Sequence, residues 1–221
     1  MFIGHFAVAL AAKRVAPRTS LGVLVAAAQL LDMVWPPLVL AGVEEVKIEP
    51  GNTAFTPLNF VSYPYSHSLA MAAVWATVAA GIYWMMARYR RGAVVVGFAV
   101  LSHWVLDFIT HRPDLPLCPG SATYVGLGLW NSIPATVIVE GLMFVGGVWL
   151  YAAGTRAKDK YGSGGLWAYV AFLAVMYLAN MAGPPPNARA VAWAGLSMVV
   201  LALWAWRIDR HRVVTLDTAF A

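Results

Sequence analysis

The sequence predicts an all-α fold, a polytopic membrane helix bundle with about six spanning helices and a short N-terminal helix. Three observations predict it. The 221 residues are 61% hydrophobic and 11% charged, whereas a soluble domain carries about 25% charged residues. The apolar residues fall in runs long enough to cross a hydrocarbon core of about 30 Å. Lys and Arg cluster between those runs, so the net charge of +5 reads as topology, and no nucleic-acid partner is expected. The single cysteine, Cys118, excludes an intrachain disulfide and a cysteine-cluster metal site.

No repeat or low-complexity tail divides the chain. We read residues 1–221 as one transmembrane domain, with a metal-site half about 1–115 and accessory spans about 134–206. The N-terminus lacks a basic region ahead of its short apolar run, so it is expected to stay in the mature protein.

Residues 2–12 form a short apolar helix carrying His5, ended by Lys13, Arg14, Pro17 and Arg18. Thr19 or Ser20 can cap the next helix, which runs to about residue 41 and carries Gln29 and Asp32. Pro36-Pro37 predicts a kink beyond Asp32. Residues 42–65 read as a polar loop with Glu44, Glu45, Lys47 and Glu49. Tyr65-Ser66-His67-Ser68-Leu69 opens a helix to about residue 87. The next helix runs over about 92–111 and is stopped by Pro113. A loop rich in Pro and Gly fills 112–133. Pro134 starts a helix containing Glu140 and ending near Gly154, and two more spans cover about 166–181 and 189–206.

Orientation follows from Lys and Arg. Lys13, Arg14, Arg18, Arg88, Arg90, Arg91, Arg156, Lys158, Lys160, Arg207, Arg210 and Arg212 fall on one side, against Lys47, Arg112 and Arg189 on the other. The positive-inside rule puts the first group and the C-terminus in the cytoplasm, for a multi-pass protein of the cytoplasmic (inner) membrane.

Depth then gathers the polar residues. His103, Asp107 and His111 recur at steps of four, along one helix face near its outer end. His67 starts an inward-going helix at that level. Asp32 lies about 18 Å of rise beyond a cytoplasmic start, in the outer half. His5 sits at middle depth or slightly outward, and Glu140 lies about two turns into an inward-going helix. Intramembrane ionisable groups are costly and functional by default. Neutral imidazole with carboxylate suits zinc, or manganese or iron with more oxygen ligands. His103 and Asp107 can point at one ion, and His111 can serve that ion or a second.

Each residue also has a structural reading. His67 could make helix-start caps, His5 and His111 could be interfacial, and Asp32 could be a lone hydrogen-bonder. Asp114 reads as a loop cap, Glu140 as a direct ligand or its support, and Asn180 as a packing contact. His211 lies in the basic tail, away from the cluster.

At these residues the chain resembles a family of prokaryotic membrane-bound metal-dependent hydrolases. The matching features are His5, Leu30-Leu31-Asp32, Ser66-His67-Ser68 and Ser102-His103-Trp104-Val105-Leu106-Asp107. The ligand order is also similar to that of zinc-dependent phospholipase C, which adds a further His, matched by His111, and a final His-x-x-x-Glu. This chain lacks that final pair, and its only later carboxylate at the right depth is Glu140, so one or two ions are expected.

The resemblance implies His5, Asp32, His67, His103 and Asp107 as ligands in metal-assisted hydrolysis of an ester or phosphoester. Asp107, Asp114 or Glu140 could take the water's proton. Arg112 could hold a phosphate or carboxylate, or pair with Asp114. A site in the outer half suits a lipid or lipid-linked substrate. The rival is transport of a divalent cation or of protons through the same residues. A haem carrier fits the carboxylates poorly.

Overall fold

Apolar sequence becomes helix nearly throughout, because a backbone in lipid must satisfy its own hydrogen bonds. In the computed structural model, which describes residues 1–215, α1 (Ile3–Val15) is the short first element. Helices α2 (Leu21–Ala28) and α3 (Leu30–Leu40) follow, bent by 54° at Gln29. An antiparallel hairpin, β1 (Glu45–Ile48) with β2 (Leu58–Ser62), leads to the single turn α4 (Pro64–His67). Next come α5 (Leu69–Ala87) and α6 (Arg90–Thr110). The short pair β3 (Leu115–Pro116) and β4 (Tyr124–Val125) precedes α7 (Ile133–Gly154). Strand β5 (Thr155–Ala157) leads into α8 (Lys160–Ala179). Helices α9 (Ala188–Leu196) and α10 (Met198–Arg210) come before β6 (Arg212–Val214), which pairs antiparallel with β5.

Helices α5, α6, α7, α8 and the 188–210 stretch are long and apolar enough to cross a membrane, and α2 with α3 makes a sixth span if the bent pair counts as one. Their outward faces carry large apolar side chains, such as Phe98, Leu142, Val145, Trp149 and Trp167. That pattern is the all-α multi-pass bundle which the composition predicts. Side-chain oxygens of Ser20, Ser68, Ser132, Asp159 and Asn187 cap α2, α5, α7, α8 and α9.

Local expectations needed correction. The kink of the early span lies at Gln29, one turn before Asp32, while Pro36 and Pro37 sit inside α3. The proline pair removes only the bonds that Asp32 and Met33 carbonyls would accept, and the helix runs through it. The loops 42–65 and 112–133 contain paired strands, and the helix opening at Tyr65 is interrupted at Ser68, whose backbone is extended.

Helix α1 runs parallel to α7. Gly4 lies beside Glu140, Ala7 against Gly147 and Arg14 against Gly154. A Cβ at Gly147 would stand 2.5 Å from the Ala7 carbonyl oxygen, so this glycine sets how closely the two backbones approach. The far end of α1 is pinned by charge. Lys13 Nζ donates to Asp209 Oδ2 at 2.7 Å, and that carboxylate also accepts Tyr151 Oη–H at 2.9 Å and the Leu21 N–H at 3.1 Å. One carboxylate thereby joins α1, α2, α7 and α10.

Replacing Asp209 by Ala leaves Lys13 buried without its counter-charge, at an expected cost of about 3–5 kcal/mol. Thermal unfolding in detergent reads it, and Lys13→Met with Asp209→Leu is expected to recover most of the loss. Outside the spans, Asp159 is held below its usual range chiefly by the hydrogen bond from His211 Nδ1, 2.7 Å away. A depressed carboxylate stabilises above its ordinary pKa of about 3.9 and loses that contribution as pH falls through the folded value. The amide protection factors in β5 and β6, with the intrinsic pH dependence of exchange divided out, are therefore expected to fall below about pH 4, and pH-independent protection would remove this pair from the account.

Candidate metal centre

Four elements deliver five ionisable side chains to one point. His5 comes from α1, Asp32 from the first turn of α3, His67 from α4, and His103 with Asp107 from α6. His103 lies at the overlap of two triads, His5/His103/Asp107 and Asp32/His67/His103, whose ligand atoms lie within 4.8 Å of one another in each. His103 Nε2 stands 3.1 Å from Asp107 Oδ2 and 3.7 Å from Asp32 Oδ1. His67 Nε2 stands 3.4 Å from Asp32 Oδ1 and 3.7 Å from Asp107 Oδ2. His5 Nε2 is 3.2 Å from Asp107 Oδ1, and its ring stacks on that of His103 with centroids 3.7 Å apart. All are buried except Asp32, which is partly open to a cavity. The Met1 ammonium donates to Asp107 Oδ1 at 2.5 Å and adds a positive charge to the group.

Hydrogen bonds behind the rings fix which nitrogen looks inward. His103 Nδ1 lies 2.7 Å from the carbonyl of Ala28, which can only accept, so Nδ1 donates. That carbonyl is the last of α2, at the 54° bend. His67 Nδ1 is 2.7 Å from Ser66 Oγ, whose own hydrogen goes to Glu44 Oε2 at 2.6 Å, so Nδ1 donates again. Glu44 Oε1 accepts the N–H groups of Tyr65 and Ser66, both at 2.9 Å. With Nδ1 donating, a neutral ring leaves Nε2 unprotonated in both His103 and His67. Both then aim lone pairs at carboxylate oxygens, an arrangement that a cation between them would satisfy. Two atoms each about 2.1 Å from one ion stand at most about 4.2 Å apart, and the nitrogen–oxygen distances above fall inside that limit. The donor set fits zinc, and with added oxygen ligands manganese or iron.

The other expected site residues divide. His111 caps the end of α6 and lines the same cavity as Asp32, His67 and Asp107, but it belongs to neither triad. Its Nδ1 is 3.0 Å from Asp114 Oδ1, which also accepts the Tyr63 hydroxyl at 2.7 Å. Burial first, and then the Asp114 carboxylate, push that hydroxyl well above its usual range, so it remains a donor. Arg112 is committed to Asp114 Oδ2 at 3.3 Å and Asn59 Oδ1 at 2.6 Å, so the pairing reading fits it better than a free anion fork. Glu140 joins neither triad. Its Oε2 accepts the N–H groups of Phe2 (2.9 Å) and Gly4 (3.3 Å) and so holds the start of α1, the helix that carries His5. Glu44 is the residue the sequence reading missed. It stands in a run with Glu45, Lys47 and Glu49, and nothing in its spacing separates the one buried carboxylate from its neighbours.

Comparison with family models, curated proteins and solved structures returns no match. Glu44→Ala would strip three donors of their acceptor. At about 1.5–3 kcal/mol for each hydrogen bond to a charged group, a loss on the order of 5 kcal/mol is expected, read as earlier thermal unfolding in detergent. An unchanged transition would show that the Ser66-His67 turn holds itself.

Proposed function

We propose that this protein is an integral-membrane metal-dependent hydrolase, of the membrane-bound kind that its motifs resemble. Its substrate would be an ester or phosphoester in a lipid or lipid-linked molecule. The observation that carries this reading is the converging set of His5, Asp32, His67, His103 and Asp107, of which Asp32, His67 and Asp107 line a cavity shared with apolar residues of α8, α9 and α10. When bound there, zinc would lower the pKa of water and polarise the scissile group.

The chain's own residues have separable tasks. His5, His67 and His103 offer neutral nitrogens, and Asp32 and Asp107 offset the ion's charge. Glu44, Ser66 and the Ala28 carbonyl keep the rings from turning. His111 stands on the cavity wall with Nδ1 held by Asp114, which leaves Nε2 as the atom for substrate or for a proton. Asp107 is buried among the histidines and suits ligation better than proton transfer.

Transport of a cation or of protons is the rival. It needs a polar route onward, but below His5 the buried face of α1 is Phe6, Ala9 and Leu10 until Lys13, already paired with Asp209. The basic clusters favour the orientation in which the site lies toward the outer face of the inner membrane.

Purified protein is expected to carry about one or two zinc ions per chain. His103→Ala and Asp32→Asn are expected to lower that content at least about tenfold, while His211→Ala leaves it unchanged. Equal metal in all variants, or none in any, would remove the site. With metal present, head-group release from labelled lipid by wild type and not by His103→Ala supports hydrolysis. Zinc flux into sealed vesicles without such release would instead establish transport.

A further inference from the structure

We infer that α8 and the α9–α10 span form a lateral slot that holds one hydrocarbon tail of an amphiphile while its polar head sits at the His/Asp cluster. This rests on the hydrolase reading and adds to it a route, a tail number and a role for the C-terminal spans.

The cavity has a volume of about 380 Å³, within the range of small-molecule sites. Its ionisable lining is gathered at one end: Asp32, His67, Asp107 and His111. The rest is mainly apolar, with Phe172 and Met176 from α8 and Val191, Met198 and Val200 from α9 and α10. Phe172, Met176 and Val200 are also among the exposed side chains of these spans. We take these exposed lining side chains as the rim of an opening between the two spans.

The slot has a floor and a roof. Toward the basic face, Tyr169 and Phe172 pack on Trp204 with centroids 5.2 and 5.7 Å apart, which closes α8 against α10. Met176 and Val200 lie one turn beyond that contact, on the cluster's side. Above the cavity, Phe55 and Phe60 stack with Trp130 at 6.3 and 6.4 Å, forming an aromatic cover carried by the β1–β2 hairpin and the loop before α7. A solute from the water side meets that cover, whereas a lipid reaches the slot sideways.

One tail is assigned to the slot, and a second chain would stay in the bilayer. A tail gains little by leaving lipid for an equally apolar wall. The slot therefore sets position rather than affinity, aligning the bond at a fixed distance from the tail's end.

The test uses the full-length protein in phosphatidylglycerol vesicles doped with a phospholipid carrying a diazirine midway along one acyl chain. After illumination, labelled peptides and zinc per chain are measured together. Labelling is expected to concentrate on Phe172, Met176 and Met198. It is expected to fall at least fivefold in Met198→Trp and in the rim variant Val200→Trp, both with wild-type zinc, and to be unchanged in Leu142→Trp on α7. Labelling spread evenly over α5 and α7, or unaffected by both slot variants, would overturn the slot even with zinc in place. Concentrated labelling on a protein without zinc would keep the slot and reject the hydrolase reading.

Discussion

A carboxylate buried among apolar helices must be neutralised, and Asp107 sets that demand for the whole bundle. Around its two oxygens stand the Met1 ammonium and the rings of His5 on α1, His67 on α4 and His103 on α6 itself. Removing a charge from water costs several kcal/mol even after relaxation, so the helices carrying those partners cannot drift from α6. The packing of α1, α4 and α6 is in this sense an electrostatic requirement before it is a hydrophobic one. Glu140 extends the requirement outward, because the N-terminus of α1 has to be held for His5 to reach its place.

Irregular backbone supplies what regular helix cannot. Within a helix each carbonyl serves an amide one turn on and has little to offer a side chain. At the α2–α3 bend the Ala28 carbonyl turns to His103, and at the break between α4 and α5 the Ser66 hydroxyl turns to His67. At the end of α6 the chain turns out, so that His111 meets Asp114 and Tyr63. Such breaks are tolerated at membrane depth where they are buried in protein or line a cavity. Here they coincide with the places that orient the imidazoles.

The bundle was legible because lipid imposes a simple rule on composition and run length. His5, Asp32, His67, His103 and Asp107 were legible because charge is rare in such runs, and their positions along the helices put them at one level of the bundle. What escaped has a physical reason in each case. The bend at Gln29 carries no proline, while the nearby Pro36-Pro37 pair gives a louder local signal than the helix obeys. Glu44 lies in a stretch where every residue looks solvated, and only the return of the hairpin over α4 buries it. Glu140 reads as a residue of the cluster's level, but that level does not reveal that its oxygen faces the amides of α1 rather than the triads. The spacing puts His111 one turn beyond Asp107, and its partner Asp114 sets its orientation.

Helix α1 has a consequence of its own, since it is fixed at both ends by buried polar contacts: His5 to Asp107, and Lys13 to Asp209. It behaves as a strut of set length and set twist. Each residue advances a helix by about 1.5 Å and turns it by about 100°. A deletion or insertion between His5 and Lys13 would turn one anchor away from its partner whichever end kept its seat, while substitutions there would leave both anchors in register. The segment is therefore open to changes of side chain and closed to changes of length, and a length change at one face of the protein would be felt at the other.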